Sequence, residues 1–189
     1  MFVHLRTHTE FSVVDGMLRI DDLARAAAAD GQPALAITDL NNLFGAVKFY
    51  KAARASGVKP LIGADVWVQT PGREESAAPA RLLLLAQNQQ GYLHLCELLT
   101  RAWTSNVQRD QAVIKPVWLQ DLAEGLIALS GAQSGAVGQA LLQGDESRAS
   151  AMALELAGLF PHRFYLELQR ADRPYKTKIS SQILEVFSK

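Results

Sequence analysis

Two histidines and an arginine stand at alternate positions near the start of the chain, in His4-Leu-Arg6-Thr-His8, and Asp15-Gly16 follows shortly after. In an extended strand alternate side chains share a face, so His4, Arg6 and His8 are expected to point the same way. Imidazoles and carboxylates are the groups that hold zinc and related divalent ions. A metal centre is therefore one reading of this cluster, and a set of surface or hydrogen-bonded histidines is the other. Other features invite chemistry less. Gly131-Ala-Gln-Ser-Gly-Ala-Val-Gly138 is glycine-rich but lacks the Gly-Lys-Ser/Thr of a phosphate loop, and reads as a turn leading into a helix. Trp67, Trp103 and Trp118 are dispersed and read as packing residues. His94 and His162 are isolated.

These residues sit in a chain whose short apolar runs alternate with helical patterns, the mark of an α/β protein. Strands are expected at Phe2 to Arg6, Ala34 to Thr38, Leu61 to Val68, Arg81 to Ala86, Gly125 to Ser130 and Phe164 to Leu168. The first helix is expected to be capped by Asp21 or Asp22 and to run through the alanines at 26 to 29. The second is expected to be capped by Asn41 or Asn42, with Phe44, Val47 and Tyr50 on one face and an end at Gly57. Further helices are expected over Tyr92 to Trp103 and Val117 to Leu122, and along the stripe Ala149, Met152, Leu156, Leu159. The stretches 70 to 80 and 105 to 115 read as loops. Residues 175–189 differ in texture: they hold no alanine and carry Lys176, Lys178 and Lys189. Either Ile179, Ile183, Val186 and Phe187 form an amphipathic helix there, or the segment is a non-native tail.

The chain has 189 residues, room for one sizeable domain, and its 19 basic residues match its 19 acidic ones. A domain gripping nucleic acid by itself would show a basic excess. The single cysteine, Cys96, lies in an apolar helical pattern and reads as a buried structural thiol, which suits a reducing cytosol. No signal peptide or apolar run long enough to span a membrane is visible, so a soluble, cytoplasmic protein is expected.

A wider pattern is more specific. The string His-Leu-Arg-Thr-His-Thr-Glu-Phe-Ser-Val-Val-Asp-Gly at 4 to 16 is followed by Ala34-Leu-Ala-Ile-Thr-Asp39 through Tyr50, and by Gly57-Val-Lys-Pro-Leu-Ile-Gly-Ala-Asp65. Gly91-Tyr-Leu-His-Leu, Glu124-Gly-Leu-Ile-Ala-Leu-Ser-Gly131 and Arg163-Phe-Tyr-Leu-Glu-Leu168 come after them in order. These blocks resemble the PHP (polymerase and histidinol phosphatase) domain that opens bacterial DNA polymerase III alpha subunits, over residues 1 to about 174. The resemblance implies an α/β fold, a distorted (β/α)7 barrel, here truncated before its last strand or strands.

Catalytic members of that family hold clustered metal ions for phosphoester hydrolysis, and the resemblance allows each ligand position to be read here. The first His-x-His falls on Arg6 and His8. The acid before glycine is kept as Asp15. Thr-Asp-His has become Thr38-Asp39-Leu40. A glutamate position holds Asp65, a histidine position holds Arg81, and a Cys or His position holds Ala132. Only His8, Asp15 and Asp65 remain as metal candidates. Arginine stays protonated and offers no lone pair, so a catalytic site is not expected. Arg6 and Arg81 are expected either to neutralise Asp15 and Asp65 in place of metals or simply to face solvent.

The resemblance implies a non-catalytic scaffold belonging to a DNA-directed DNA polymerase, a nucleotidyltransferase that uses Mg2+. Its partners would be the remainder of the alpha subunit and the proofreading exonuclease subunit, with DNA reached only through the full-length holoenzyme and no membrane. The competing reading is an active Zn2+- or Mn2+-dependent PHP phosphoesterase or 3'-5' exonuclease. A third is an independent small binding protein.

Overall fold

The structure, a computed structural model, describes residues 2–70 and 78–169. Its centre is a curved mixed sheet made by β1 (Ala34–Ile37), β2 (Lys59–Val68), β3 (Ala80–Ala86), β4 (Val107–Gln108), β5 (Gln111–Ile114), β6 (Leu126–Leu129) and β7 (Phe164–Tyr165). The strands pair in the order β4-β5-β2-β3-β6-β7, and β1 joins the lower half of β2. Parallel and antiparallel pairs are equal in number: β1–β2, β2–β5 and β6–β7 are parallel, while β3 runs antiparallel to both β2 and β6, and β4 to β5.

Alternation along these strands decides what the sheet encloses. Leu82 and Leu84 of β3, Ala64 and Val66 of β2, and Leu126 and Ala128 of β6 point outward, into a core under α3 (Gln89–Ser105) and α4 (Pro116–Leu122). Burying each leucine there is worth about 1.5–3 kcal/mol. Leu35 and Ile37 of β1 pack instead under α1 (Ile20–Ala29) and α2 (Ala46–Ala55). A third layer pairs α5 (Ala136–Leu142) with α6 (Glu146–Leu159). The opposite faces of the strands turn inward, carrying Ala36, Leu83, Leu85, Ile127 and Leu129. By the same period of two, Asp65 of β2 and Arg81 of β3 also face inward.

The interior is thinly filled. At the end away from Asp65, a cavity of about 760 Å³ opens among Leu5, Leu61, Ile62, Leu85, Ile127 and Tyr165. The N-terminal segment lies along β1, with Ala36 N donating to His4 O at 2.9 Å and Thr38 N to Thr7 O at 2.9 Å. No backbone hydrogen bond joins that segment to β7 among the described residues. Among the described residues a seam thus lies between the N-terminal segment and β7.

Several expectations need correction. The N-terminal segment is extended and hydrogen bonded but too sparsely paired to make a ladder strand. The first helix is capped by Arg19, so Asp21 and Asp22 lie in its first turn, where they still favour the positive end of the dipole. Neither Asn41 nor Asn42 caps α2; its N-cap is Gly45, and Asn42 Oδ1 accepts from Phe44 N in the turn before it. Phe44, Val47 and Tyr50 face solvent, while Ala46, Phe49 and Ala53 are buried. The stretch 105 to 115 holds the β4–β5 hairpin, not a plain loop. Cys96 is half-buried. Part of the expected loop at 70 to 80, and the tail at 175–189, lie outside the described residues.

Candidate functional site

Asp65 is the centre of the site and is wholly buried. In the β2–β3 register Trp67 stands opposite Arg81, and Asp65 opposite Leu83. Arg81, one layer above, lies over the Trp67 ring at 4.4 Å and reaches diagonally down to Asp65, Nη1 to Oδ2 at 2.7 Å. From the facing side of the interior Arg6 Nη1 pairs with the same Oδ2, and His8 Nε2 approaches it at 3.1 Å. Three donors thus converge on one carboxylate oxygen. The other, Oδ1, has no hydrogen-bond partner among the described residues.

The cluster extends through a second carboxylate. His8 Nδ1 lies 2.8 Å from Asp15 Oδ1, and Arg81 Nη2 lies 3.7 Å from Asp15 Oδ2. Both ring nitrogens of His8 therefore face ionised oxygens, which only accept, so the ring donates at both positions as imidazolium. Burial disfavours that charge, but the hydrogen bonds and charges of Asp65 and Asp15 outweigh it and raise the His8 pKa above the ordinary value. Burial likewise disfavours ionised Asp65. The hydrogen bond from His8 and the charges of Arg6 and Arg81 outweigh it and hold its pKa below the usual carboxylate range.

Arg6 carries a second bond that sequence reasoning missed. Its Nε and Nη2 pair with the two carboxylate oxygens of Glu167 at 2.7 and 2.8 Å, a bidentate fork across the seam between the N-terminal segment and β7. Burial works against the charge on Arg6, but Glu167 and Asp65 together raise its pKa further. The signal was present: in Phe164-Tyr-Leu-Glu-Leu, Tyr165 and Glu167 alternate onto one face, and Tyr165 lines the interior cavity.

The structure brings Arg6, His8, Asp15, Asp65 and Arg81 together. Arg6 meets Asp65 and Glu167, and Arg81 meets Asp65 and Asp15. Leu40 is half-buried beside Asp65 through an isolated bridge, and Ala132 is buried in the turn after β6; neither can contribute a charge. His4 does not join the cluster; it is exposed, with its ring edge-on to Phe2 at 4.8 Å. Asp39, also missed as an anchor, is buried and accepts from Thr9 N, Thr9 Oγ1 and Ser12 Oγ, fixing the turn that presents Asp15.

Chemically, the arrangement offers donors where a metal would need lone pairs. Among the described residues no three His, Cys, Asp or Glu side chains are grouped so as to hold a metal ion. An arginine within hydrogen-bonding distance of Asp65 on each side would repel a dication placed there. The residues present do not fit a metal cluster.

The charges predict a stability profile with two limits. Asp65, with its lowered native pKa, contributes fully above the unfolded carboxylate value of about 3.9, and that contribution is lost as pH falls through the native value. His8, with its raised native pKa, contributes fully below about 6.5 and loses its contribution as pH rises through the native value. Urea unfolding across pH should show a decline on the alkaline side that His8→Gln removes. An alkaline limb of the same size in that variant would show that His8 is not its source.

A PHP domain match covers residues 4–171. The chain belongs to the PHP domain family. It is 49% identical over 172 residues to DNA polymerase III subunit alpha of Pseudomonas aeruginosa, a match covering 91% of this chain and 14% of that protein. It is 48% identical over 176 residues to the protein of that name from Neisseria meningitidis serogroup A, covering 92% and 15%. The chain thus spans about one seventh of the length of these relatives. Among solved structures, an amidohydrolase from Chromobacterium violaceum superposes with a TM-score of 0.42 at 16% identity, covering 99% of this chain and 51% of that one. No helix among the described residues is long and apolar enough to cross a membrane.

Proposed function

We propose that this chain is the opening domain of a replicative DNA polymerase alpha subunit and that it acts as a non-catalytic scaffold. One observation carries the reading. Arg6, Arg81 and His8 converge on buried Asp65, so positive side chains gather at positions that the resemblance matches to metal ligands of catalytic PHP domains. The parent enzyme would be a DNA-directed DNA polymerase, a cytoplasmic nucleotidyltransferase using Mg2+ held elsewhere in its chain. This domain would need neither Zn2+ nor Mn2+. Its partners would be the rest of the alpha subunit and the proofreading exonuclease subunit, and it would meet DNA only through the assembled enzyme. The identity to polymerase subunits supports the first part, and the balanced charge of 19 basic and 19 acidic residues supports the absence of direct DNA binding.

The test is metal analysis of the chain purified after exposure to Zn2+ or Mn2+, paired with a phosphoester assay. Less than one tightly held equivalent, with no phosphate released from a model ester, is expected. One or more tight equivalents together with turnover would replace this reading with that of an active phosphoesterase.

A further inference from the structure

The N-terminal segment is fastened unevenly along its length. At its base Thr9 is fully buried and donates from N and Oγ1 to Asp39, and His8 is tied to both Asp15 and Asp65. Toward residue 2 the attachment thins: Phe2 is 65% and Leu5 38% exposed, and His4 is exposed as well. Two backbone bonds, Ala36 N to His4 O and Thr38 N to Thr7 O, hold residues 2–7 to β1 and its end. Thr38 Oγ1 adds a third by accepting from Thr7 N at 2.8 Å.

Across the seam, side chains do the fastening. The bidentate fork from Arg6 to Glu167 spans it, with Glu167 10% exposed and Arg6 22%. If residues 2–7 lift, Arg6 leaves Glu167 and Asp65 together, and neither carboxylate is stranded. Asp65 keeps Arg81 at 2.7 Å and His8 at 3.1 Å, and Glu167 keeps Gln169 Nε2 at 2.8 Å. The pairing of β1 with β2 and of β2 with β3 is untouched by such a movement. Leu5 lines the interior cavity of about 760 Å³ and also a groove of about 510 Å³ between residues 2–6 and 166–169. Lifting the segment therefore joins the two spaces along the seam.

Segments with few buried apolar contacts and few backbone bonds are those that open without global unfolding. We propose that residues 2–7 form a latched strap that detaches as a unit while the sheet stays folded, hinged at His8 and Thr9. The Arg6–Glu167 fork is the latch, and its release opens the interior cavity along the seam. The strap goes beyond the scaffold reading and does not depend on it.

Strand β1 carries its own control for the test. Successive amides of a strand point to opposite edges, so Ala36 and Thr38 direct theirs to the strap, and Leu35 and Ile37 direct theirs to β2. Residue-resolved amide exchange by NMR on the 189-residue chain should show Thr7, Ala36 and Thr38 exchanging together, about tenfold or more faster than Leu35 and Ile37. Glu167→Gln weakens the latch, and should speed the strap-facing amides by about tenfold again while leaving Leu35 and Ile37 unchanged. A second readout follows the cavity. Leu85 is 6% exposed and lines it with Leu5, so in a Cys96→Ala, Leu85→Cys chain the rate of maleimide labelling should rise by the same factor on adding Glu167→Gln. Equal exchange of the two amide sets in the parent chain would overturn the strap, because the segment would then open only with the sheet. In Glu167→Gln, acceleration of both sets alike, or of neither, would remove the latch from Glu167. Labelling at an unchanged rate while the strap amides accelerate would show that the strap does not gate the cavity.

Discussion

Replacing Asp65 with alanine is expected to destabilise the domain by about 3 kcal/mol, near the lower end of the 3–5 kcal/mol typical for breaking a buried pair. The carboxylate is fully buried, and removing it strands Arg6 and Arg81 side by side with Asp15 and Glu167 as their remaining counter-charges. The lower end applies because the two arginines keep 22% and 15% side-chain exposure, so water can enter the vacated space. The thermal midpoint should fall by roughly 6–12 °C, at about 2–4 °C per kcal/mol for a chain of this length. A companion variant isolates the cause. Changing Arg6→Met, Asp65→Leu, Arg81→Met and Glu167→Leu together removes both arginines and the two most buried carboxylates they pair with, leaves His8 paired with Asp15, and should unfold within about 1 kcal/mol of the parent or above it. An Asp65→Ala variant as stable as the parent would show that the cluster does not help hold the barrel mouth together.

That cluster was readable in part from the sequence. Strand alternation put Arg6 and His8 on one face, and the resemblance to the PHP family's ligand positions pointed to Asp15, Asp65 and Arg81. The partner choice was not readable, since it depends on how the N-terminal segment and β7 approach across the seam, a matter of barrel closure. Glu167 and the Arg6 fork belong to that closure. Two local features have simpler causes. Phe44, Val47 and Tyr50 recur at helical spacing, and all three face solvent. Alanines at 46 and 53, with Phe49, bury the other face because small residues let α2 approach the sheet closely. The β4–β5 hairpin turns through Arg109 and Asp110 at φ of 49° and 63°, a two-residue turn that usually announces itself with Asn-Gly or Asp-Gly. Here no glycine marks it, and its polar flanks read as loop.

A second large effect is expected at Gly135, whose importance no propensity scale reveals. Its φ of −78° and ψ of 166° are open to any residue, so backbone strain is not the issue. The constraint is space. A Cβ there would sit 1.6 Å from Ser130 O and 3.1 Å from Arg81 O, both backbone atoms that cannot rotate away. Relief requires moving the turn from Gly131 to Gly135 off the strand end that carries Arg81, to which Gly135 is bridged. Gly135→Ala should therefore cost about 3 kcal/mol, the upper part of the range for overpacking, and loosen the Arg81–Asp65 pair as well. Gly158→Ala provides the contrast: its Cβ would meet nothing within 4 Å inside α6, and the change should stabilise by about 0.5–1 kcal/mol. Denaturant unfolding of the two variants side by side decides the matter. If Gly135→Ala proves as harmless as Gly158→Ala, the close approach of that turn to β3 does not position Arg81, and the ion cluster must be held from the β2 side alone.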